Sequence, residues 1–181
     1  MAHEILIGVT GGVAAFKTAA AVSRLVQQGI GVTVVMTDSA KRFVGPATFR
    51  ALTGRAVYCE VFEDSKFPLG PHIELARAAQ LLCVAPASAN YLAKAAGGIA
   101  DDLLSTLTLS FTGPLLVAPA MNTEMWNKRA VKRNVQTLRE DGVEILGPGS
   151  GWLSCRDQGA GRMVEPEEIV AAVLKKLEIP T

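Results

Sequence analysis

Features that mark membrane, secreted or metal-binding proteins are scarce in this sequence. No apolar run is long enough to span a bilayer, and the first one, residues 5–9, has no basic lead and stops at Thr10, unlike a signal peptide. Cys59, Cys83 and Cys155 are odd in number and widely dispersed, which argues against a disulfide framework and for a reducing compartment. Neither histidine lies near a cysteine pair, so no metal site is recognisable. We therefore expect a cytoplasmic protein.

An excess of charge of one sign is also missing. The chain has 18 Lys and Arg residues against 17 Asp and Glu residues, a formal net charge of +1. It therefore offers no basic field for nucleic acid and no polybasic stretch for a membrane, and small molecules or other subunits are the expected partners. Aromatic residues are few, at 6%, but 49% of the 181 residues are hydrophobic, enough to bury the core of one domain.

Apolar runs of strand length alternate with segments of helical character. The predicted strands are residues 5–9, 32–36, 81–85, 115–118 and 143–146, and the predicted helices are residues 13–28, 45–52, 73–79, 89–96, 102–110, 128–141 and 166–177. This alternation predicts an α/β fold: a Rossmann-like or flavodoxin-like, doubly wound, mostly parallel sheet with helices on both faces. We expect one domain over residues 1–181.

Two segments break the alternation. Residues 59–71, which include Glu63, Asp64, Ser65 and Lys66, are rich in turn-forming residues and predict an ordered surface loop. Residues 147–163 carry five glycines around Trp152 and Cys155. This second segment is too glycine-rich for a helix or strand, and we predict a lid that covers a bound substrate.

Small polar groups follow the first two predicted strands. The turn of Gly11, Gly12 and Val13 opens the first helix, whose N–H groups favour an anionic ligand. It lacks the G-x-G-x-x-G fingerprint, and no acidic residue closes the second strand, so NAD is not expected. That strand is followed instead by Thr37 and Ser39, whose hydroxyls suit a phosphate or ribityl chain, with Phe43 as a flat surface for a ring. The alternative for this hydroxyl turn is a plain helix cap.

The next two strands also end in polar groups. Ser88, Ala89 and Asn90 follow the strand of residues 81–85. Since ligands bind beyond the carboxyl ends of strands in open sheets, the coincidence favours a mononucleotide-type cofactor. After the strand of residues 115–118, the octapeptide of residues 119–126 places Asn122 between methionines, as a polar group in an apolar pocket. Its alternative is a helix N-cap surrounded by core side chains.

Together with His72-Ile73-Glu74-Leu75 and residues 154–163, these motifs resemble the FMN-dependent cysteine decarboxylases. The similarity is greatest to the phosphopantothenoylcysteine decarboxylase branch, which serves coenzyme A biosynthesis. Its most specific parts are P-x-M-N-x-x-M-W at residues 119–126 and the cysteine-bearing loop that ends in G-x-G-R-M. The resemblance extends from residue 5 to about residue 169.

The resemblance implies a reaction and three catalytic residues. FMN oxidises the cysteine moiety of 4'-phosphopantothenoylcysteine to a thioaldehyde, carbon dioxide leaves, and the resulting enethiol is reduced to 4'-phosphopantetheine. His72 corresponds to the base of the oxidative half, Asn122 to the ligand of the substrate carboxylate, and Cys155 to the proton donor of the reductive half. The coenzyme A branch carries the cysteine loop, so Cys155 is the residue that discriminates among family members.

The resemblance also implies binding residues and an assembly. The flavin contacts are expected from Gly11, Gly12, Val13, Thr37, Ser39, Phe43, Ser88, Ala89, Asn90 and Ala120. The substrate contacts are expected from Asn122, Met125, Trp152, Leu153 and Ser154. Family members form homotrimers, often four of them as a dodecamer, with flavin near a subunit boundary lined by residues 97–105. Bacterial relatives are often fused to a ligase domain, which we do not expect in this chain.

Two departures and three alternatives accompany this interpretation. Arg156 stands where the family usually has glycine after the loop cysteine, and Tyr91 where threonine is common. The alternatives are a flavin-binding regulatory subunit, a peptidyl-cysteine decarboxylase and an enzyme that prenylates FMN. The presence of His72, Asn122 and Cys155 disfavours the first, and the Cys155 loop disfavours the other two.

Overall fold

Six strands form a parallel sheet in the part of the chain that the structure, a computed structural model, describes: residues 3–62 and 67–179. Their order across the sheet is β3-β2-β1-β4-β5-β6. The strands are β1 (Glu4–Val9), β2 (Gly31–Met36), β3 (Val57–Tyr58), β4 (Leu81–Ala87), β5 (Leu115–Pro119) and β6 (Glu144–Ile145). Glu63, Asp64, Ser65 and Lys66 of the predicted surface loop lie outside the described residues.

Helices cover both faces of the sheet. They are α1 (Ala15–Gln27), α2 (Pro46–Thr53), α3 (Pro71–Ala78), α4 (Ala89–Gly97), α5 (Leu103–Ser110), α6 (Thr123–Asn127), α7 (Arg129–Glu140) and α8 (Pro166–Lys176). A 3₁₀ turn, Ala40–Arg42, follows β2. None of the described helices has the length and apolar character needed to cross a membrane.

The alternating side chains of β1 show how the two layers are built. Ile5 and Ile7 face one cluster of buried residues, to which α1, α2 and α8 contribute, whereas Leu6 faces a second cluster formed with α3, α4, α5 and α7. In α7, Val131, Val135 and Leu138 recur on one side of the helix and are buried, while the rest of the helix, apart from Ala130, is polar. The predicted doubly wound α/β fold is confirmed.

The strand order places a crevice between β1 and β4. The chain leaves β1 toward β2 and β3 and then returns to the other side of β1, so the connections that follow β1 and β4 diverge. The buried Thr10 joins these ends: its Oγ1 donates to the Pro86 carbonyl oxygen at 2.7 Å and accepts from the Ser88 N–H at 2.9 Å. The polar turns after the two strands are therefore held side by side.

Residues 147–163 contain an antiparallel hairpin of β7 (Gly149–Trp152) and β8 (Gln158–Arg162). The prediction that this segment is too glycine-rich for strands was wrong. The glycines of β8 permit close approach to the start of α6: a side chain at Gly161 would meet the Met121 carbonyl oxygen, and one at Gly159 would meet Thr123 Oγ1. Contact with α6, rather than strand propensity, explains their place in the hairpin.

Candidate active site

A first cavity of about 530 Å³ lies at the carboxyl ends of the strands. Its lining includes six of the residues predicted to bind the cofactor: Gly11, Thr37, Ser39, Ser88, Ala89 and Asn90. Gly11 approaches Ser39 so closely that a Cβ on Gly11 would lie 2.5 Å from the Ser39 Cβ. Glycine at this position therefore keeps open a cradle lined by hydroxyl and amide groups.

A second cavity of about 490 Å³ adjoins the first at the turn after β1. It contains the other four predicted cofactor residues, Gly12, Val13, Phe43 and Ala120. It also contains four of the predicted substrate residues, Asn122, Trp152, Leu153 and Ser154, together with Cys155. The fold thus brings the β1 turn, the start of α6 and the β7–β8 hairpin around one space, although these segments are distant in sequence.

Asn122 is the N-cap of α6. Its Oδ1 accepts a hydrogen bond from the Met125 N–H at 2.8 Å, which leaves the side-chain N–H groups for another partner. Asn122 can therefore cap α6 and offer its side-chain N–H groups to a ligand in the second cavity at the same time. Met125, predicted to contact the substrate, lines the first cavity instead.

Cys155 lies at the tip of the β7–β8 hairpin. The Arg156 N–H donates to the Leu153 carbonyl oxygen at 2.9 Å, and the Leu153 N–H donates to the Asp157 carbonyl oxygen at 2.8 Å, which closes a tight turn around the cysteine. Arg156 has a φ of 68°, the left-handed region that favours glycine. The Cys155 thiol is thus presented by a short, defined turn and is exposed.

The other two cysteines have different environments. Cys83 is fully buried in β4, and burial raises the pKa of its thiol to about 12. Cys59 is half-buried on the lining of the first cavity, and burial raises the pKa of its thiol despite the nearby Lys41 ammonium. Cys155 is therefore the exposed cysteine of the three.

His72 is not among the described residues that line either cavity. Its backbone carbonyl accepts a hydrogen bond from Ser110 Oγ, at the last residue of α5, whereas Leu103, the first residue of α5, lines the first cavity. These two ends of α5 are separated by roughly 10 Å, at about 1.5 Å of rise per residue. Within one chain, the structure brings Asn122 and Cys155 together but leaves His72 apart.

Charged groups differ between the two cavities. The second cavity includes Lys17 and Arg162 and no carboxylate among its described lining, although Glu165 lies next to both cations. Lys17 Nζ is 2.9 Å and Arg162 is 2.7 Å from Glu165 Oε1, and the Lys17 ammonium holds the pKa of Glu165 below its usual range. A positive environment of this kind suits an anionic ligand.

The first cavity is lined by four carboxylates, which are paired with two lysines. Lys94 Nζ lies 2.6 Å from Asp101 and 2.8 Å from Asp102, while Lys41 Nζ lies 2.6 Å from Asp38. The fourth carboxylate, Glu60, is 3.6 Å from Lys41. The β1 turn and the hydroxyl groups therefore remain the part of this cavity that best suits a phosphate.

Sequence reasoning missed several lining residues. The short apolar run of residues 56–59, which contains β3, was not predicted as a strand. The lining residues at its end, Cys59, Glu60 and Val61, were therefore missed. Phe16 and Lys17 lie on the first turn of α1 and line the second cavity. Arg162 and Met163 belong to the G-x-G-R-M motif, which could have identified them, since the same motif carries the glycines that contact α6.

Comparison with known proteins places this arrangement in a family. The family model described as Flavoprotein matches residues 1–178. The Coenzyme A biosynthesis bifunctional protein CoaBC of Bacillus subtilis is 47% identical over 168 residues, which are 93% of this chain and 41% of that protein. The chain thus spans about two fifths of the length of the curated relatives it matches.

Two solved structures extend the comparison. A PPC decarboxylase mutant, a cysteine-to-serine variant complexed with pantothenoylaminoethenethiol, has a TM-score of 0.89 and 33% identity, covering 98% of this chain and 100% of that one. The FMN-dependent cysteine decarboxylase SpaF has a TM-score of 0.83 and 35% identity, covering 97% of both chains. These matches confirm the relationship predicted from the motifs. Because they and the family model extend over nearly the whole sequence, the chain belongs to the Flavoprotein family.

Proposed function

We propose that this chain is an FMN-dependent carboxy-lyase that converts 4'-phosphopantothenoylcysteine to 4'-phosphopantetheine in coenzyme A biosynthesis. The observation that carries the proposal is the convergence of Asn122 and Cys155 on one cavity, which adjoins the hydroxyl-lined cavity at the strand ends. The similar proteins, named as the coenzyme A biosynthesis protein CoaBC and as a PPC decarboxylase, support the same reaction. The volumes of the two cavities lie in the range of sites that bind small molecules.

The residues at the strand ends fit FMN. Gly11 leaves room beside Ser39 that a Cβ would fill, and hydroxyl and amide groups surround this space. We expect FMN to be held by Gly11, Thr37, Ser39, Ser88, Ala89 and Asn90 in the first cavity and by Gly12, Val13, Phe43 and Ala120 at its junction with the second. When bound, FMN would supply the acceptor and donor of two electrons that the reaction needs.

Asn122 would hold the substrate carboxylate through its side-chain N–H groups, since its Oδ1 is engaged in the helix cap. A neutral amide orients a carboxylate without the strong charge pairing that would oppose its loss as carbon dioxide. Trp152, Leu153 and Ser154 lie on the same cavity and would contact the rest of the substrate. Met125 lines the first cavity, and its side chain would contact the cofactor and the substrate where the two meet.

The β7–β8 hairpin would cover the substrate and deliver the Cys155 thiol. The base of the hairpin is attached to the body of the domain, because the Met121 N–H donates to the Gly161 carbonyl oxygen at 3.0 Å. The exposed turn around Cys155 lies at the opposite end. We propose that Cys155 Sγ supplies the proton of the reductive half and that residues 1–181 form one catalytic domain with this hairpin as its lid.

The position of His72 supports assembly into a homotrimer, or into a dodecamer of four trimers. Since His72 lines neither cavity of its own chain, a base in the oxidative half would have to come from a neighbouring subunit. Asp101, Asp102 and Leu103, from the predicted boundary segment, line the first cavity. We propose that each site combines Asn122 and Cys155 of one subunit with His72 of another. A cytoplasmic location stays a prediction from the three free cysteines.

The direct test is an assay with FMN and 4'-phosphopantothenoylcysteine. The purified protein should be yellow and should release carbon dioxide from this compound, but not from a peptide that ends in cysteine. A colourless protein that stays inactive with added FMN would exclude an FMN-dependent enzyme. Release from the peptide alone would assign it to the peptidyl-cysteine decarboxylases instead.

Cys155→Ser should separate the two halves of the reaction. Because serine is a much weaker proton donor than a thiol, carbon dioxide should still be released, with dioxygen taking the two electrons from the flavin, while the enethiol accumulates and 4'-phosphopantetheine falls by about 100-fold or more. Mass spectrometry of the products measures the change, and Ser150→Ala, an exposed change in the same hairpin that lines neither cavity, provides the control, with normal product expected. Full product formation by Cys155→Ser would show that its role is misassigned.

A further inference from the structure

The backbone of His72 is held on several sides. Gly70 is the N-cap of α3, and its carbonyl oxygen accepts hydrogen bonds from the N–H groups of Ile73 and Glu74 at 3.2 and 3.3 Å. Ser110 Oγ donates to the His72 carbonyl oxygen at 3.3 Å. These contacts fix where the side chain leaves the backbone but not how its ring is turned.

The absence of a side chain at Gly70 leaves room for the ring of His72. The imidazole Nδ1 is buried and has no hydrogen-bond partner among the described residues. A Cβ on Gly70 would lie 3.2 Å from the His72 Cε1, tighter than ordinary van der Waals contact, and 3.4 Å from Nδ1. Gly70 also has a φ of 92°, which disfavours any other residue. With no described bond to Nδ1 and a broad χ2 torsion, the ring lies in an orientation that depends on the room left by the glycine.

We propose that Gly70 is a positioning residue, which sets the orientation of the His72 imidazole for proton transfer. The proposal rests on the catalytic role of His72 in the proposed function. Because Nδ1 is covered, the geometry leaves Nε2 as the nitrogen that can take a proton from the substrate. A methyl group at Gly70 would push the ring and turn Nε2 away from that direction.

The test compares Gly70→Ala with Gly142→Ala in the FMN-loaded enzyme. Gly142 has a φ of 85°, close to that of Gly70, but no described atom lies within 4 Å of the position of its Cβ. Gly142→Ala therefore places an alanine at a positive φ away from any ring, while the ψ of 141° at Gly70 adds backbone strain of its own, for which the His72→Asn background serves as the control. We expect Gly70→Ala to lower kcat by about ten- to a hundredfold at unchanged KM and FMN content, with Gly142→Ala near wild type.

Nuclear magnetic resonance of the imidazole nitrogens tests the positioning without activity. The chain has two histidines, so His3 serves as an internal reference for His72. Gly70→Ala should shift the His72 ring signals and leave those of His3 unchanged, whereas Gly142→Ala should shift neither. In a His72→Asn background, Gly70→Ala should cause no further loss of kcat, because the two residues act as one unit.

The outcomes distinguish a failure of the positioning role of Gly70 from a failure of the proposed function. If Gly70→Ala matches Gly142→Ala in ring signals and kcat, the positioning role is overturned. An additional loss of kcat in the His72→Asn background would also overturn it, since Gly70 would then act by another route. If the ring signals shift but wild-type enzyme with FMN does not turn over the substrate, the effect of Gly70 on the ring stands, while the proposed function fails and with it the use of that ring in catalysis.

Discussion

At the scale of single residues, Asn122 shows how one side chain serves structure and chemistry together. Its oxygen caps α6, while its nitrogen is available to a ligand in the second cavity. Aspartate is as good a cap as asparagine but cannot donate a hydrogen bond when ionised. A substitution can therefore remove the proposed recognition and leave the helix intact.

The Asn122→Asp variant should be as stable as the wild-type protein but should lose its decarboxylase activity. The new carboxylate would repel the substrate carboxylate, so carbon dioxide release should fall by about 100-fold or more. Steady-state kinetics and urea unfolding measure the two effects, and Asn127→Asp, an exposed change near the end of the same helix, provides the control. Normal kinetics in Asn122→Asp would contradict the role of its amide.

Arg156 replaces the glycine that the family usually has after the loop cysteine. Its φ of 68° costs roughly 1 kcal/mol for a residue with a Cβ. Arginine in place of glycine restricts the backbone just after the thiol, and it does so in a left-handed turn. Nothing in the structure explains why arginine in particular stands there.

At the scale of elements, the β7–β8 hairpin is positioned by its glycines. Gly161 packs against the Met121 carbonyl oxygen, and the Met121 N–H bonds back to the Gly161 carbonyl oxygen at 3.0 Å. This contact lies directly before Asn122. The hairpin and the proposed carboxylate ligand are therefore parts of one packed unit.

Gly161→Ala should separate the hairpin from α6. The added methyl group clashes with Met121, and the φ of 124° at this position disfavours alanine, so we expect a loss of about 1–3 kcal/mol in the free energy of unfolding. Activity should fall as well, because both Asn122 and Cys155 would shift. Urea unfolding and the decarboxylase assay check both results.

Gly149→Ala is the matched control for this change. The nearest neighbour of a Cβ at Gly149 is the Arg162 carbonyl oxygen at 3.7 Å, an ordinary contact within the same hairpin. Near wild-type stability is expected there. Equal losses in the two variants would show that strand propensity, rather than contact with α6, governs these glycines.

The start of α5 contains a pH-dependent interaction. Burial raises the pKa of Asp102, but hydrogen bonds from Lys94 and from the Ser105 N–H lower it more, so its pKa lies below the usual range. A carboxyl group whose pKa is lowered by folding stabilises the protein above its unfolded pKa, about 3.9 for Asp, and loses that contribution as the pH falls through the folded pKa.

Asp102→Asn should therefore destabilise the protein at pH 7 and not in acid. Asparagine keeps the cap but removes the charge that pairs with Lys94, so the loss should be about 0.5–1 kcal/mol, a value suited to a pair still 30% exposed at Asp102. Urea unfolding at several pH values measures the difference, which should shrink below about pH 4. A difference that stays constant into acid would contradict the pairing.

At the scale of the whole molecule, the separation of His72 from the cavities makes a prediction about assembly. His72→Asn and Asn122→Asp should each be inactive alone. In mixed oligomers, some sites would combine the intact His72 of one subunit with the intact Asn122 of another. In a trimeric ring that contains both variants, one of the three sites should be restored.

Co-expression of the two variants with different tags tests this prediction. Purification through both tags, followed by native mass spectrometry, isolates the mixed oligomers for the carbon dioxide assay. Recovered activity would support a site shared between subunits. Inactive mixed oligomers would instead place the whole site within one chain and require a movement of α3.

Local sequence patterns determined the central sheet, its flanking helices and the polar strand ends, because apolar runs and glycine turns act over a few residues. The same patterns identified Asn122 and Cys155 as members of motifs. They did not reveal β3, which is too short, or α6, a five-residue helix that begins inside the octapeptide.

Only the tertiary structure decided which of these residues meet. Strand order and the contact between β8 and α6 place Cys155 beside Asn122, divide the predicted cofactor residues between two cavities and leave His72 at the end of α5. The high glycine content of residues 147–163 led to the wrong prediction that this segment has no strand. Glycines stand there because β8 approaches the start of α6 closely. Such non-local packing depends on the whole chain, which a local pattern does not record.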